Sequence, residues 1–183
     1  MSWNRRGVLK AGGGLAALAA IGVSARRACA LQSPGARHIA LENLHTSESL
    51  EVAYRHGDRY LPEALAQLRT LLRDHRTGEE CSIDPALFDY LYDAALAAGV
   101  APVFSVISGY RSPRTNEMLH ERSSGVASKS LHMEGRAIDL RLAGIDCASL
   151  AERALGMQRG GVGYYRQSDF VHLDTGRFRT WRG

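Results

Sequence analysis

Residues 128–142 read Ser-Lys-Ser-Leu-His-Met-Glu-Gly-Arg-Ala-Ile-Asp-Leu-Arg-Leu and combine metal-binding side chains with a strand pattern. His132 precedes Gly135, whose backbone freedom permits a sharp turn, and Asp139 is the third residue of the predicted strand at 137–142. Side chains alternate between the two faces of a strand, so the isoleucine and leucines around Asp139 face a core. Asp139 itself is expected on the opposite, open face.

A second strand-like run, residues 169–174, reads Asp-Phe-Val-His-Leu-Asp and places His172 and Asp174 on one face. If the two strands are neighbours, His132, Asp139 and His172 converge at one point. Two imidazoles and one carboxylate, with no fourth protein ligand in evidence, suit a catalytic zinc that keeps a position open for water. The sequence therefore predicts a metal site built across two strands.

The rest of the chain predicts helices first and then strands interrupted by short helices. This order favours an α+β fold in which helices pack on a small, mainly antiparallel sheet, with the metal site at the sheet face. Residues 123–130 are rich in Ser and Gly and predict a mobile loop. The predicted elements are a hairpin at 37–44 and 49–55, helices at 61–75, 84–99, 113–122 and 145–156, and strands at 102–107, 160–165, 170–173 and 177–181.

The N-terminus predicts an export signal followed by one domain. Residues 1–30 contain a twin-arginine-like motif, a Gly/Ala-rich apolar run and a small-x-small cleavage site at Ala28-Cys29-Ala30. Residues 31–36 are expected to be a flexible leader, and residues 37–183 the folded domain. The apolar run is short for a membrane span, although an uncleaved anchor is the alternative. We expect a periplasmic protein that engages the twin-arginine export machinery and keeps no membrane span after signal removal.

The formal net charge of +4 depends on this N-terminal segment, which contributes five basic and no acidic side chains. The remainder contains 18 basic and 19 acidic residues, so the balance does not indicate a nucleic-acid-binding protein. Two cysteines lie beyond the signal, Cys81 and Cys147. An oxidising compartment permits a disulfide between them, and two separate buried thiols are the alternative.

Three ordered motifs resemble the D-Ala-D-Ala metallopeptidase superfamily, peptidase family M15, and within it the YcbK-type branch of murein endopeptidases. The similarity extends over residues 37–181. The motifs are Ser-Gly-Tyr-Arg-Ser-Pro at 108–113, Ser-Leu-His-Met-Glu-Gly-Arg-Ala-Ile-Asp at 130–139 and Phe-Val-His-Leu-Asp-Thr-Gly at 170–176.

The resemblance implies one zinc ion per chain, bound by His132, Asp139 and His172. It also implies that Arg111 contacts the substrate or the developing oxyanion, a task that suits a permanently charged guanidinium. A structural salt bridge is the alternative for Arg111. The general base stays open between two carboxylates: Asp169 lies three residues before the last histidine, where much of the superfamily has an acid, and Asp174 shares a strand face with His172.

The function implied by the resemblance is zinc-dependent hydrolysis of D-amino-acid-containing peptide cross-links in peptidoglycan. A carboxypeptidase or dipeptidase that trims stem peptides is the first alternative, because the same centre serves both reactions. A zinc-containing module that binds peptidoglycan without turnover is the second, and a zinc-independent periplasmic domain is the third.

Overall fold

The computed structural model describes residues 35–122 and 126–183. In these two ranges the chain forms one eight-stranded sheet, in the order β3-β2-β1-β4-β5-β7-β6-β8. The strands are β1 (Ala36–Asn43), β2 (Ser49–His56), β3 (Arg59–Tyr60), β4 (Val103–Ser108), β5 (Ala137–Leu142), β6 (Gly161–Tyr165), β7 (Phe170–Asp174) and β8 (Arg179–Arg182). The α-helices are α1 (Pro62–Leu71), α2 (Pro85–Ala98), α3 (Pro113–Arg122) and α4 (Cys147–Met157).

The predicted α+β class is confirmed. The neighbours β1 and β4, and likewise β6 and β8, run parallel, and all other neighbouring strands are antiparallel. The chain passes from β1 to the parallel strand β4 through β2, β3, α1 and α2, a connection long enough to cross over. The predicted hairpin is present as β1 and β2, and the predicted edge strand near the C-terminus is β8.

The first helix ends at Leu71 rather than at residue 75 as predicted. Asp74, just beyond it, is almost fully buried, and its carboxylate accepts hydrogen bonds from the backbone N–H groups of Arg76 (2.9 Å) and Ser112 (2.9 Å). Such bonds compete with helical ones and turn the chain out of the helix. Burial by itself would raise the pKa of Asp74, but hydrogen bonds from Thr115 and these N–H groups lower it to about 2.

One hydrophobic core lies between the helices and the sheet. The helix α1 packs on β2, α2 packs on β1 and α4, and α4 packs on β5, β6 and β7. Apolar side chains from β5 and β7, among them Ile138, Leu140 and Val171, are fully buried against Phe88 of α2 and Leu150 of α4. Burying one such side chain contributes roughly 1.5–3 kcal/mol. Because side chains alternate along strands, Asp139 and His172 lie on the other face of the sheet.

The two cysteines are free thiols, so the alternative of two separate thiols is the one realised. Cys147 begins α4 and is buried, and Cys81 is partly buried. Burial and a contact with Asp169 raise the pKa of the Cys147 thiol to about 11. A thiol with so high a pKa is a weak nucleophile at neutral pH.

The predicted signal peptide at residues 1–30 lies outside the described residues. The predicted leader lies mostly outside them too, and its last residue, Ala36, already begins β1. Of the predicted loop at 123–130, residues 126–130 are described. None of the helices in the described ranges is long and apolar enough to cross a membrane.

Gly135 connects the site to the core and leaves no room for a side chain. It ends a short 3-10 helix, Leu131–Glu134, with a φ of 65°, and its carbonyl accepts from the backbone N–H of Asp84 at 2.9 Å. A Cβ atom at this position would overlap the carbonyl oxygen of Ser82. Gly57 has a similar φ of 55° but open space around it.

We expect Gly135→Ala to lower the free energy of unfolding by about 3 kcal/mol or more, as the sum of left-handed backbone strain and steric overlap. Gly57→Ala is the matched control and should cost only the backbone term, about 1 kcal/mol. Urea denaturation of both variants measures the difference. Equal losses would show that the close approach to Ser82 does not constrain the turn.

Candidate metal centre

Three buried side chains meet on the face of the sheet opposite the core. The strands β5 and β7 are neighbours, which the predicted metal site requires. Asp139 lies directly opposite His172 in their antiparallel register. His132 lies in the 3-10 helix just before the turn at Gly135 that leads into β5. The sequence thus brings the three predicted ligands together through one strand pairing and one turn.

The prediction that this face is open is wrong. The exposed fractions of His132, Asp139 and His172 are 1%, 4% and 8%, and Asp174 is fully buried. Strand alternation tells which side chains point away from the core, but it does not tell what covers them. Here the 3-10 helix and β8 supply the cover, with Trp181 packed beside His172.

The three inward-facing atoms are close enough to share one ion. His132 Nε2 lies 3.2 Å from His172 Nδ1 and 3.3 Å from Asp139 Oδ1, and His172 Nδ1 lies 2.8 Å from the same oxygen. For ligand atoms about 2.0–2.1 Å from a tetrahedral zinc ion, neighbouring ligands are about 3.3 Å apart. The spacing of this triad therefore fits a zinc-sized site.

The outward-facing ring nitrogens determine which nitrogens point inward as acceptors. His132 Nδ1 lies 2.7 Å from the carbonyl oxygen of Gly109, and His172 Nε2 lies 3.0 Å from Asp174 Oδ2. Both partners accept hydrogen bonds, so when a cation occupies the centre the outward nitrogens carry the protons of the neutral rings. Two imidazole lone pairs and the Asp139 carboxylate then face each other, an arrangement that a cation stabilises. The donor set thus fits a metal ion.

The second oxygen of Asp139 is held by Arg111. Arg111 Nη2 donates to Asp139 Oδ2 at 2.6 Å, and its Nε donates to Ser108 Oγ at 3.0 Å. The backbone N–H of Arg111 also donates to the carbonyl of His132 at 3.2 Å. The salt bridge that was the structural alternative for Arg111 is therefore present, and it orients a candidate ligand. Contact between Arg111 and a substrate stays a prediction.

The pKa values of the triad shift in the directions that favour one negative charge beside neutral or cationic rings. Burial lowers the pKa of His132. Burial would also lower the pKa of His172, but hydrogen bonds with Asp139 and Asp174 raise it. Burial would raise the pKa of Asp139, but the two imidazoles outweigh burial and hold it well below its usual value. Asp139 is therefore ionised and draws positive charge into the centre.

Asp174 contacts His172 at Nε2, the ring nitrogen that points away from His132 and Asp139. Its Oδ1 accepts from the backbone N–H groups of Gly161 (2.9 Å) and Gly176 (2.8 Å), and Arg179 donates to both of its oxygens at 3.0 and 2.7 Å. Together with the bond from His172, these donors occupy both oxygens and hold the Asp174 pKa well below its usual value, even though burial would raise it. The contacts are those of a residue that orients His172.

Asp169 lies in the exposed turn between β6 and β7, with a φ of 50°. Its side chain is 67% exposed and lies 3.3 Å from Arg141 Nε. The side chain does not line the pocket in front of the triad, although Ser168 and Phe170 on either side of it do. The structure therefore brings Asp174 next to the triad and leaves Asp169 at the surface.

The protein family described as peptidoglycan L,D-endopeptidase MepK matches residues 31–181. The chain belongs to this family. The predicted resemblance to murein endopeptidases of peptidase family M15 is thereby confirmed.

The curated relatives cover almost the whole chain. Peptidoglycan L,D-endopeptidase MepK of Escherichia coli K12 is 44% identical over 178 residues, 97% of either chain. The probable peptidoglycan L,D-endopeptidase MepK of Haemophilus influenzae is 38% identical over 154 residues, 84% of this chain and 83% of its own. No solved structure matches the chain.

A pocket of about 520 Å³ opens in front of the triad. It is bordered by the loop at residues 126–130, by the turn between β6 and β7 and by β8. Ser130 lines the pocket, and its Oγ accepts from the backbone N–H of His132 at 3.4 Å. Tyr110 of the first family motif packs against the core. Among the described residues that line the pocket, Asp139 is the sole carboxylate.

An aromatic wall beside the centre is the feature that sequence reasoning missed. The ring of Trp181 lies 5.1 Å from that of His172, and its Nε1 donates to the hydroxyl of Tyr165 at 3.0 Å. Tyr165 in turn stacks on Phe170 at 4.4 Å. Trp181 fits there because Gly163 on β6 has no side chain, and a Cβ would overlap the indole. The neighbouring Tyr164 packs against the core instead.

Proposed function

We propose that this chain is a zinc-dependent peptidoglycan endopeptidase that hydrolyses peptide cross-links of the cell wall at an L,D-bond. The observation that carries the proposal is the convergence of His132 Nε2, His172 Nδ1 and Asp139 Oδ1 within 3.3 Å of one another at the base of a pocket. The family to which the chain belongs supports the substrate, since its description and those of its relatives state this activity.

His132, His172 and Asp139 would hold the ion, which when bound supplies a Lewis acid and lowers the pKa of a coordinated water. The chain's own part is to keep these ligands in place. Gly109 and Asp174 fix the two rings through their outward nitrogens, and such outer partners typically affect metal affinity 10- to 100-fold. One such triad among the described residues supports the proposal of one zinc ion per chain.

Arg111 has a second task in this proposal. Two of its guanidinium nitrogens are bound to Ser108 and Asp139, while Nη1 has no hydrogen-bond partner among the described residues. Arg111 also lines the pocket, so this nitrogen is available to the carbonyl oxygen of a bound peptide. A fixed donor aimed at the developing oxyanion stabilises the transition state more than the substrate.

The proton acceptor is proposed to be Asp169 or Asp174, and their surroundings separate the two. Asp174 is fully buried and accepts from four neighbouring residues, so its role is expected to be mainly the orientation of His172. Asp169 is exposed and would have to turn from Arg141 towards the pocket to take a proton.

An endopeptidase acting on peptidoglycan requires export, which the N-terminal twin-arginine-like motif would supply. We therefore propose a periplasmic location and peptidoglycan cross-links as the partner.

The direct test is digestion of isolated sacculi by the purified chain, with products identified by mass spectrometry. We expect cross-linked muropeptides to be converted to monomers, and the reaction to stop with a chelator and return with zinc. His172→Ala should reduce the rate by more than about 100-fold, because it removes a proposed ligand. The exposed His56 at the end of β2 offers the matched control, and His56→Ala should retain full activity.

Other outcomes of the sacculus digestion would indicate other functions. Release of single terminal residues without loss of cross-links would indicate a carboxypeptidase. Binding to sacculi with zinc present but no product would indicate a binding module. Activity that survives complete removal of metal would contradict the proposed mechanism.

Asp174→Asn and Asp169→Asn separate the two acidic residues. We expect Asp174→Asn to weaken zinc affinity and activity together by roughly 10- to 100-fold, because the amide can present a hydrogen-bond donor to His172 and disturb its orientation. Asp169→Asn should leave zinc affinity unchanged and lower kcat by about 100-fold or more, because Asp169 is the proposed proton acceptor whose carboxylate is not held by four neighbouring residues. Zinc titration beside the muropeptide assay provides both readouts. A change of less than about threefold in kcat for Asp169→Asn at full zinc occupancy would exclude Asp169 as the general base.

A further inference from the structure

The pocket is lined by a lysine, a residue type that is rare in this chain. Among 23 basic residues only two are lysines, Lys10 in the predicted signal and Lys129. Lys129 is thus the sole lysine in the described residues, and it lines the pocket in front of the triad. Every other basic side chain of the domain is an arginine, including the two others that line the same pocket, Arg111 and Arg179.

The two arginines are already paired. Arg111 donates to Asp139, and Arg179 donates to both oxygens of Asp174. Lys129 is exposed and has no carboxylate partner among the described residues. Since Asp139 is the only carboxylate found lining the described part of the pocket, the ammonium group of Lys129 is a surplus positive charge there. A divalent metal ion in the triad would add to that surplus and favour an anionic ligand.

The loop that carries Lys129 is fixed at several points. Asn116 of α3 is buried, and its Nδ2 donates to the carbonyls of Ala127 (3.1 Å) and Ser128 (3.4 Å). On the other side of Lys129, Ser130 caps the 3-10 helix that carries His132. The backbone of Lys129 is therefore held three residues before a proposed metal ligand, at the border of the pocket.

Lysine and arginine suit different partners. Arginine has a planar set of donors that matches a carboxylate of fixed orientation, as in the pairs with Asp139 and Asp174. Lysine has a compact charge on a flexible stem and three donors that rotate. It can therefore follow a carboxylate whose position varies, such as one on a bound peptide.

We propose that Lys129 is a specificity-determining residue that binds a carboxylate of the substrate peptide beside the scissile bond. This inference rests on the proposed endopeptidase function and deepens it, because it states which chemical group of the peptide the pocket selects. The cross-link fragments that fit best are those with a free carboxylate on a residue flanking the cleaved bond.

The test compares two cross-linked peptides that differ only in this carboxylate, which is free in one and amidated in the other. We expect the zinc-loaded chain to favour the free carboxylate by about tenfold in kcat/KM, the size expected for a hydrogen bond to a charged group. Lys129→Gln should abolish the preference by raising KM for the free acid only. Arg153, which is exposed on α4 and does not line the pocket, provides the charge-matched control, and Arg153→Gln should keep the preference.

Lys129→Arg keeps the charge and should retain part of the preference. An unchanged preference in Lys129→Gln would overturn the inference, and so would an equal loss on both peptides, which indicates a structural role of the loop. Calorimetric binding of both peptides to metal-free protein gives an independent readout, with an expected rise of about tenfold in Kd for the free acid on Lys129→Gln. If the wild-type chain binds with this selectivity but cleaves neither peptide, the proposed endopeptidase function fails while the assignment of Lys129 stands.

Discussion

The antiparallel pairing of β5 with β7 places Asp139 directly opposite His172, and the site depends on this register. A shift of one residue would turn the side chain of the slipped strand towards the hydrophobic core and so place Asp139 and His172 on opposite faces of the sheet. The register is strongly specified because Ile138, Leu140 and Val171 are fully buried on the helix side. The same burial that stabilises the fold therefore holds the triad on the opposite face. His132 joins it through the Gly135 turn, which no other residue can form without strain.

The buried triad directs three acceptor atoms at one point, where a proton shared by His172 and Asp139 or a metal ion is stabilised. The outward-facing atoms of the triad are all occupied, by Gly109, Arg111 and Asp174, so neither ring can turn its inward nitrogen away without losing a hydrogen bond. Three acceptors in a low-dielectric site repel one another, and a positive ion among them removes this repulsion. The fold thus orients the three side chains in advance around one point that borders the pocket.

The sequence predicted the triad and the fold class well because these depend on local patterns. Alternation in β5 and β7 predicted the faces, and the family motifs predicted that His132, Asp139 and His172 lie together, as they do. The cover over the triad was missed, since it comes from Trp181 on a distant edge strand that fits only over Gly163. Alternation also could not separate the roles of Asp174 and Asp169, which differ through contacts with distant residues rather than through local pattern. The early end of α1 has the same origin, in the long-range bond between Asp74 and Ser112.

A crystal structure of the zinc-loaded chain with anomalous scattering at the zinc edge tests this account most directly. The account predicts one anomalous peak per chain, with His132 Nε2 and His172 Nδ1 about 2.0–2.1 Å from it and an Asp139 oxygen about 2.0–2.2 Å from it. It also predicts a fourth position that faces the pocket and holds a water. Zinc bound elsewhere, or a triad that stays free of metal at saturating zinc, would contradict it.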